Sequence, residues 1–222
     1  MYHPDYGKAI DSLIEIHNQY NHEVNPLVKD IKLAVYYLQG GCITQAKFAL
    51  KAWSMSDLNT PLRAKRFIDE SKQLIFGLIA VGDKDRARYL KSFFKDQITK
   101  IDLRKHKEDI LKRTGMEESF FDTWFDNTKI LSHGFSKGVH PNLRSVAYNS
   151  NIDSGKFDYD ATSFTYGNIE NFDFAHYIII PTIDSVITSS GLFNLTKEDL
   201  AQITELRCRI QSIAEIKLGY SY

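Results

Sequence analysis

Two segments of this 222-residue chain carry polar side chains of the types that bind phosphate groups or transfer protons. In the first segment two arginines precede a glutamate, and in the second two serines precede a histidine. A guanidinium group can bind phosphate through two parallel hydrogen bonds, and an imidazole can act as a general acid or base. The candidate catalytic or binding residues are therefore Arg63, Arg66, Glu70, Ser132, Ser136 and His140.

The arginine–glutamate segment has the apolar periodicity of a helix. At 100° per residue, Phe67 and Leu74 lie near the centre of its apolar face, and Arg63 and Glu70 lie within about 40–60° of that centre. Arg66 is four residues from Glu70, which is the spacing of a helical ion pair. We expect these side chains to border the core, where a charge must be paired. Two interpretations stay open: an ion pair that fixes helix packing, or a functional polar pocket.

The serine–histidine segment ends a helix predicted over residues 117–139. The same projection places Ser132 and Ser136 beside Phe125, on the inner edge of an aromatic stripe, with His140 at the boundary. These side chains could meet the arginine–glutamate helix across a cleft between the two helices. Alternatively, the serines bond to carbonyl groups of their own helix and His140 caps its end. Both interpretations stay open.

The sequence contains no pattern that predicts a metal or a cofactor. His133 and His140 are seven residues apart, which places them about 10 Å apart along a helix, too far to share one ion. Zinc-protease, EF-hand, phosphate-loop and serine-hydrolase motifs are absent from the sequence. The remaining catalytic hypothesis is acid–base chemistry or metal-free RNA cleavage that uses His140 with arginine and serine.

Two short motifs carry a resemblance to a known family. The run Leu62–Glu70, which enters an apolar helix, resembles the "Arg…Glu" helix of a family of bacterial all-helical proteins of uncharacterised function. The later Leu131-Ser132 and Val139-His140-Pro141 resemble that family's "Leu-Ser…Val-His-Pro" signature. The family is distantly similar to HEPN (higher eukaryotes and prokaryotes nucleotide-binding) domains, and the resemblance covers roughly residues 40–160.

The resemblance implies a helical bundle, a homodimer, and a role in RNA cleavage or phage defence. Active HEPN ribonucleases carry an arginine four to six residues before a histidine. In this chain the nearest basic residue before His140 is Lys137, three residues earlier.

The segments that must position these residues are mostly helical. Pro26 should divide residues 5–38, Gly40-Gly41 should form a turn, and Pro181 should kink residues 173–190. Thr196 and Asp199 form a capping-box pattern at the start of the last helix. The further predicted helices are 43–57, 60–81, 84–113, 117–139 and 197–217.

Residues 142–172 differ from these segments, because they are rich in Asn, Asp, Ser and Gly. We predict a long loop or a small hairpin around Asn149–Gly155. The fold prediction is one all-α domain over residues 1–222, an HEPN-like multi-helix bundle with this insertion. Its parts are N-terminal helices (5–58), central motif-bearing helices (60–140), the insertion (142–172) and a C-terminal helix pair (173–217).

Composition restricts the partners. Equal numbers of basic and acidic residues, 28 of each, argue against bulk electrostatic capture of nucleic acid or of a membrane surface. Residues 84–113 nevertheless hold eleven Lys/Arg, which would favour RNA if they surround the candidate cluster. The apolar runs are too short to span a bilayer, and the two cysteines form no disulfide framework. We therefore expect a cytoplasmic protein.

Three hypotheses follow. In the first, the Arg/Glu/Ser/His cluster binds a nucleotide or RNA and cleaves the RNA. In the second, the protein is a non-enzymatic helical interaction module and the cluster is structural. In the third, a small molecule binds under the 142–172 loop, against Phe157, Tyr159 and Tyr166.

Overall fold

A computed structural model shows a bundle of helices. It describes residues 3–55, 57, 59–97, 99–123, 125–126 and 173–217, together with the backbone of residues 150–151 and 156–157. The α-helices are α1 (Pro4–Gln19), α2 (Ile31–Ser54), α3 (Asn59–Ala80), α4 (Asp83–Phe93), α5 (Lys107–Thr114), α6 (Ile180–Thr188) and α7 (Lys197–Lys217). Residues 118–123 and 125–126 are also helical. Shorter turns are the 3-10 helices Tyr20–His22, Leu103–His106 and Ser190–Leu192 and the π-helix Ala175–Ile179.

The only other regular structure in the described part is a pair of two-residue strands, β1 (Ser150–Asn151) and β2 (Lys156–Phe157). They are antiparallel, with Ser150 opposite Phe157 and Asn151 opposite Lys156, as expected for the predicted hairpin. Because all the longer elements in the described part are helices, the all-α prediction is confirmed.

The main core lies where α2 and α3 pack against each other and against α1, α6 and α7. A smaller apolar cluster forms beside the end of α3, from Ala80, Leu103, Ile110 and Phe121. Asp184 on α6 connects three helices, because its carboxylate accepts hydrogen bonds from Lys72 of α3 and from Arg207 of α7, both at 2.8 Å. None of the helices in the described part combines the length and the apolar character needed to cross a membrane.

The turn predicted at Gly40-Gly41 is wrong, because α2 continues through both glycines. They serve close packing instead. A Cβ atom at Gly40 would lie 3.0 Å from Cε1 of His17, and a Cβ atom at Gly41 would lie 2.9 Å from Cζ of Phe67. The two positions therefore let rings from α1 and α3 pack directly on α2. The favourable packing offsets the roughly 1 kcal/mol cost of each glycine inside a helix.

The single helix predicted over residues 84–113 is also wrong. After α4 the chain makes a turn in which the Gln97 N–H donates to the Ser92 carbonyl and the Asp96 N–H donates to the Phe93 carbonyl, both at 3.1 Å. This is the Schellman arrangement, and Asp96 occupies its left-handed position with φ of 55°. The chain becomes helical again only at Leu103.

Several local signals are confirmed. Pro26 lies in the connection between α1 and α2. The π-helix Ala175–Ile179 ends two residues before Pro181, so the helical hydrogen bonding is irregular in the turn that precedes the proline, and the kink itself stays a prediction. At α7 the Asp199 N–H donates to Thr196 Oγ1 at 3.0 Å and the Thr196 N–H donates to Asp199 Oδ2 at 3.2 Å, which is the predicted capping box.

Candidate functional site

Helix α3 presents a different face to the core from the one that its sequence predicts. The fully buried residues on this face include Ala64, Ile68, Ile75 and Leu78, whereas Phe67 is 41% exposed. The true centre of the buried face is displaced by about 70° from the predicted one. The prediction failed because large apolar residues were weighted above the small and polar ones that the core admits.

Arg63 and Glu70 are therefore exposed, and their expected place at the border of the core is wrong. The pairing of Arg66 with Glu70 is confirmed, because Arg66 Nε donates to Glu70 Oε1 at 3.1 Å. The two side chains are 38% and 52% exposed. An exposed pair of this kind contributes at most about 0.5 kcal/mol, so it does little to hold the helices together.

A second ion pair on α3 is buried, and the sequence analysis missed it. Lys65 Nζ donates to Asp69 Oδ2, and their side chains are only 4% and 15% exposed. Burial lowers the pKa of Lys65 and raises the pKa of Asp69, and in both residues the attraction of the partner charge opposes the effect of burial. The only sequence signal for this pair was the four-residue spacing, which it shares with Arg66 and Glu70.

A cleft of about 450 Å³ lies beside α3, between α2 and the segment that follows α4. Its apolar lining residues are Leu38, Phe67, Leu74, Phe93 and Ile101, and its polar lining residues are Arg66, Asp69, Glu70, Ser71, Gln73, Asp96, Gln97, Thr99 and Lys100. Two of the six candidates, Arg66 and Glu70, thus share one cleft. An apolar floor with a polar and charged rim suits a ligand that carries a flat ring and polar substituents.

The wall of the cleft formed by residues 96–97 and 99–101 is fixed at both ends. The Schellman turn fixes its start, and Thr99 Oγ1 donates to the Gln97 carbonyl at 3.0 Å. At its other end Ile101 lies against α3, where a Cβ atom at Gly77 would come within 2.7 Å of Ile101 Cδ1. The backbone turn at Asp96, the Thr99 hydroxyl and the Ile101 side chain are therefore held by contacts within the chain.

The charges around the rim balance. Arg66 and Lys100 are basic, Glu70 and Asp96 are acidic, and Asp69 is neutralised by Lys65. Of the eleven basic residues in 84–113, Lys100 is the one that lines the cleft. Six of the others form ion pairs with acidic residues elsewhere on the surface: Arg86, Arg88, Arg104, Lys105, Lys107 and Arg113. At the two described candidates that line the cleft, Arg66 and Glu70, the basic stretch contributes Lys100 alone, so it gives the RNA hypothesis little support there.

The remaining candidates are not brought to the cleft. Arg63 lies on α3 but does not line it. Ser132, Ser136 and His140 lie outside the described residues, as do the side chains of the 142–172 insertion. Among the residues that the structure describes, no group of three or more His, Cys, Asp or Glu is arranged to hold a metal ion.

Most of the cleft was not predicted from the sequence. Asp96, Gln97, Thr99 and Lys100 fell inside a helix predicted to be continuous, so they had no reason to face α3. Phe67 was assigned to the core because it is large and apolar. A signal was present in Lys95-Asp96-Gln97, where three polar residues follow two phenylalanines, but turn residues such as Gly or Pro are lacking there.

Comparison of the chain with protein-family models, with curated proteins and with solved structures gives no match in any of the three.

Proposed function

We propose that the cleft beside α3 binds a nucleotide, either free or as one unit of an RNA strand, in an HEPN-like helical protein of the cytoplasm. The observation that carries this proposal is the combination, in one cleft, of an exposed phenylalanine ring, two basic side chains and several polar side chains. The volume of about 450 Å³ falls in the range of small-molecule sites.

The phenylalanine ring would hold the base. Phe67 is 41% exposed, it lines the cleft, and the Cζ end of its ring packs against α2 at Gly41. Stacking of a base on an aromatic side chain contributes about 1–3 kcal/mol per base. Gln97 and Glu70 could then bond to the polar edge of the base.

The basic side chains would hold the phosphate. Arg66 and Lys100 line the same cleft, and a guanidinium group matches the geometry of phosphate. Arg66 would have to leave Glu70 for this, and the cost is small because their ion pair is exposed.

The balanced rim favours a single nucleotide over a long strand. A protein that tracks an RNA backbone needs an uninterrupted basic groove, and its affinity falls steeply with salt. Among the described residues, two basic side chains line the cleft, and six of the eleven basic residues in 84–113 are engaged in ion pairs. We therefore expect a weak salt dependence.

RNA cleavage, a phage-defence role and a homodimeric state belong to this proposal through the family resemblance alone. Cleavage would require His140 as acid or base. It is tested by incubating RNA with the purified protein and with His140→Ala. If the wild type leaves RNA intact, or if the variant cleaves equally well, catalysis is excluded and only binding remains.

Binding is tested by calorimetric titration with the four ribonucleoside triphosphates and with a short single-stranded RNA. Arg66→Gln and Phe67→Leu should each weaken binding at least tenfold. Arg63→Gln is the matched control, because Arg63 is also an exposed arginine of α3 but does not line the cleft, and it should bind like the wild type. Absence of nucleotide and RNA binding, or an equal loss in Arg63→Gln, would overturn the proposal.

A further inference from the structure

Helix α4 carries a hydrogen-bonded set of four side chains that takes no part in the cleft. Tyr89 of α4 bonds to His106 of the following 3-10 helix, with 2.9 Å between the tyrosine Oη and the imidazole Nε2. Nδ1 of the same imidazole lies 3.6 Å from Oδ2 of Asp85, one turn before Tyr89. Arg88 completes the set, because its Nη2 donates to Tyr89 Oη at 3.1 Å. None of the four side chains lines the cleft beside α3.

Two local features bring these side chains together. Asp85 is three residues from Arg88 and four from Tyr89, so the three share one side of α4. The chain then turns at Asp96, and the 3-10 helix that follows places His106 against this side of α4. The side chain of His106 is only 11% exposed, and Tyr89 is half-buried. The imidazole is therefore enclosed next to the hydroxyl.

The hydrogen bonds define the direction in which a proton can move. Tyr89 Oη donates to His106 Nε2 when the imidazole carries its own proton on Nδ1, and that tautomer directs the Nδ1 proton at the carboxylate of Asp85. A hydroxyl within hydrogen-bond reach of a base that a third group orients is the arrangement of an activated nucleophile. Here Tyr89 has the place of the nucleophile, His106 that of the base and Asp85 that of the orienting group.

Arg88 makes the surroundings of the hydroxyl suitable for an anionic reactant. Its guanidinium lies over the tyrosine ring, 4.9 Å from the ring centre, and its side chain is 63% exposed. Nη2 also pairs with Asp85 Oδ1 at 2.9 Å, whereas no hydrogen bond within the described part of the chain uses Nε or Nη1 of Arg88. A reactant that approaches the hydroxyl from this side meets a positive charge and unused donors, which match the oxygens of a phosphoryl group.

We propose that Tyr89 is a nucleophile that accepts a phosphoryl group from an activated phosphate, either an aryl phosphate or an acyl phosphate. Tyr89 Oη forms the new bond to phosphorus while the bond from phosphorus to the leaving oxygen breaks, and the leaving group departs with that electron pair. The hydroxyl proton passes to His106 Nε2, and Asp85 stabilises the imidazolium that results. Arg88 binds the oxygens of the transferred group.

This inference does not rest on the proposed function, because the four side chains and the cleft share no residue. A protein that binds no nucleotide could still be phosphorylated at Tyr89. A protein whose tyrosine is unreactive could still bind a nucleotide in the cleft. The two experiments therefore fail independently.

The test mixes the purified protein with p-nitrophenyl phosphate and, separately, with acetyl phosphate. The first donor should give a stoichiometric burst of p-nitrophenolate, and peptide mapping by mass spectrometry should locate the phosphoryl group on Tyr89 with both donors. Tyr89→Phe keeps the ring and should abolish the burst and the modification. Tyr37→Phe is the matched control, because Tyr37 is a tyrosine of α2 that is 51% exposed and lies outside the set, and it should react like the wild type.

Three further variants separate the roles of the other side chains. His106→Gln keeps a polar side chain that cannot take the proton, and the burst should slow by about 100-fold or more. Asp85 acts through His106, so Asp85→Asn should lower the maximal burst rate without changing the donor concentration that gives half of it. Arg88→Gln should slow the reaction with both phosphates but not the acetylation of Tyr89 by the uncharged reagent N-acetylimidazole.

Circular dichroism verifies that every variant is folded. The proposal is excluded if the folded wild type gives neither a burst nor phosphotyrosine at position 89 with either donor. It is also excluded if His106→Gln reacts as fast as the wild type, or if the phosphoryl group maps to Tyr37 as readily as to Tyr89.

Discussion

Helix α3 carries two ion pairs of identical spacing, Lys65–Asp69 and Arg66–Glu70, displaced from each other by one residue. That displacement turns the side chains by 100° around the helix, so the first pair is largely buried, with Asp69 reaching the wall of the cleft, whereas the second pair is exposed beside the cleft. In both pairs the basic residue precedes the acidic one, which is the less favourable order on an isolated helix. Neither pair is therefore explained by helix stability alone.

The difference shows that one spacing rule can serve two purposes. The enclosed pair is costly to form but even more costly to break, because removing one partner leaves a buried charge without compensation. The exposed pair can open and close at little cost, and so Arg66 and Glu70 are available to a ligand. The pair that matters for the stability of the fold is therefore not the pair that matters for binding.

Breaking the enclosed pair should have the largest effect. Lys65→Met leaves Asp69 buried without its partner, and we expect the free energy of unfolding to fall by about 3–5 kcal/mol. Lys65→Met/Asp69→Leu removes both charges and should recover most of that loss. Urea denaturation measures both variants. A double variant as unstable as the single one would show that the pair itself, and not the unpaired charge, stabilises the fold.

An intermediate effect is expected at His17, which is half-buried and stacked on Tyr36. Burial lowers its pKa below 6.5, although the bond to the Tyr36 carbonyl opposes this. Between the lowered pKa and 6.5 the folded protein binds fewer protons than the unfolded chain, so stability falls as the pH is lowered through this window. His17→Gln should flatten the decline in urea denaturation from pH 7.5 to pH 5. Parallel profiles for variant and wild type would contradict the assignment.

The smallest effect should come from the exposed pair. Glu70→Gln removes its charge, and we expect the free energy of unfolding to change by no more than about 0.5 kcal/mol. The same denaturation measurement applies. A loss comparable to that of Lys65→Met would mean that the two pairs do not differ as the structure indicates.

The sequence predicted elements well where a local signal decides the outcome. The capping box of α7, the proline-linked irregularity before α6 and the bounds of α3 all depend on residues within one or two turns. It failed where a distant contact decides. Gly40 and Gly41 have the appearance of a turn until the rings of His17 and Phe67 are placed on them. The end of α4 depends on the left-handed conformation of Asp96, and no neighbouring residue in the sequence predicts that conformation.

In the candidate site, too, features set by local sequence were predicted and features set by distant contacts were not. The spacing of Arg66 and Glu70 was sufficient to predict their pairing. Their orientation was not predictable, because it depends on the three-dimensional choice of which α3 face the core accepts. The opposite wall of the cleft could not be predicted for a related reason, since residues 99–101 reach α3 only after the chain has turned at Asp96.

Gly40 and Gly41, which are adjacent in α2, also determine where α1 and α3 lie along the axis of α2. The His17 ring of α1 packs on Gly40, and the Phe67 ring of α3 packs on Gly41. Both neighbouring helices therefore contact α2 at the same level along its axis. Sliding α1 or α3 along α2 by even one residue would drive a ring into a side chain. The positions of α1 and α3 along α2 are thus set by the absence of two side chains, and a substitution of either glycine by alanine would force the facing ring, His17 or Phe67, to move.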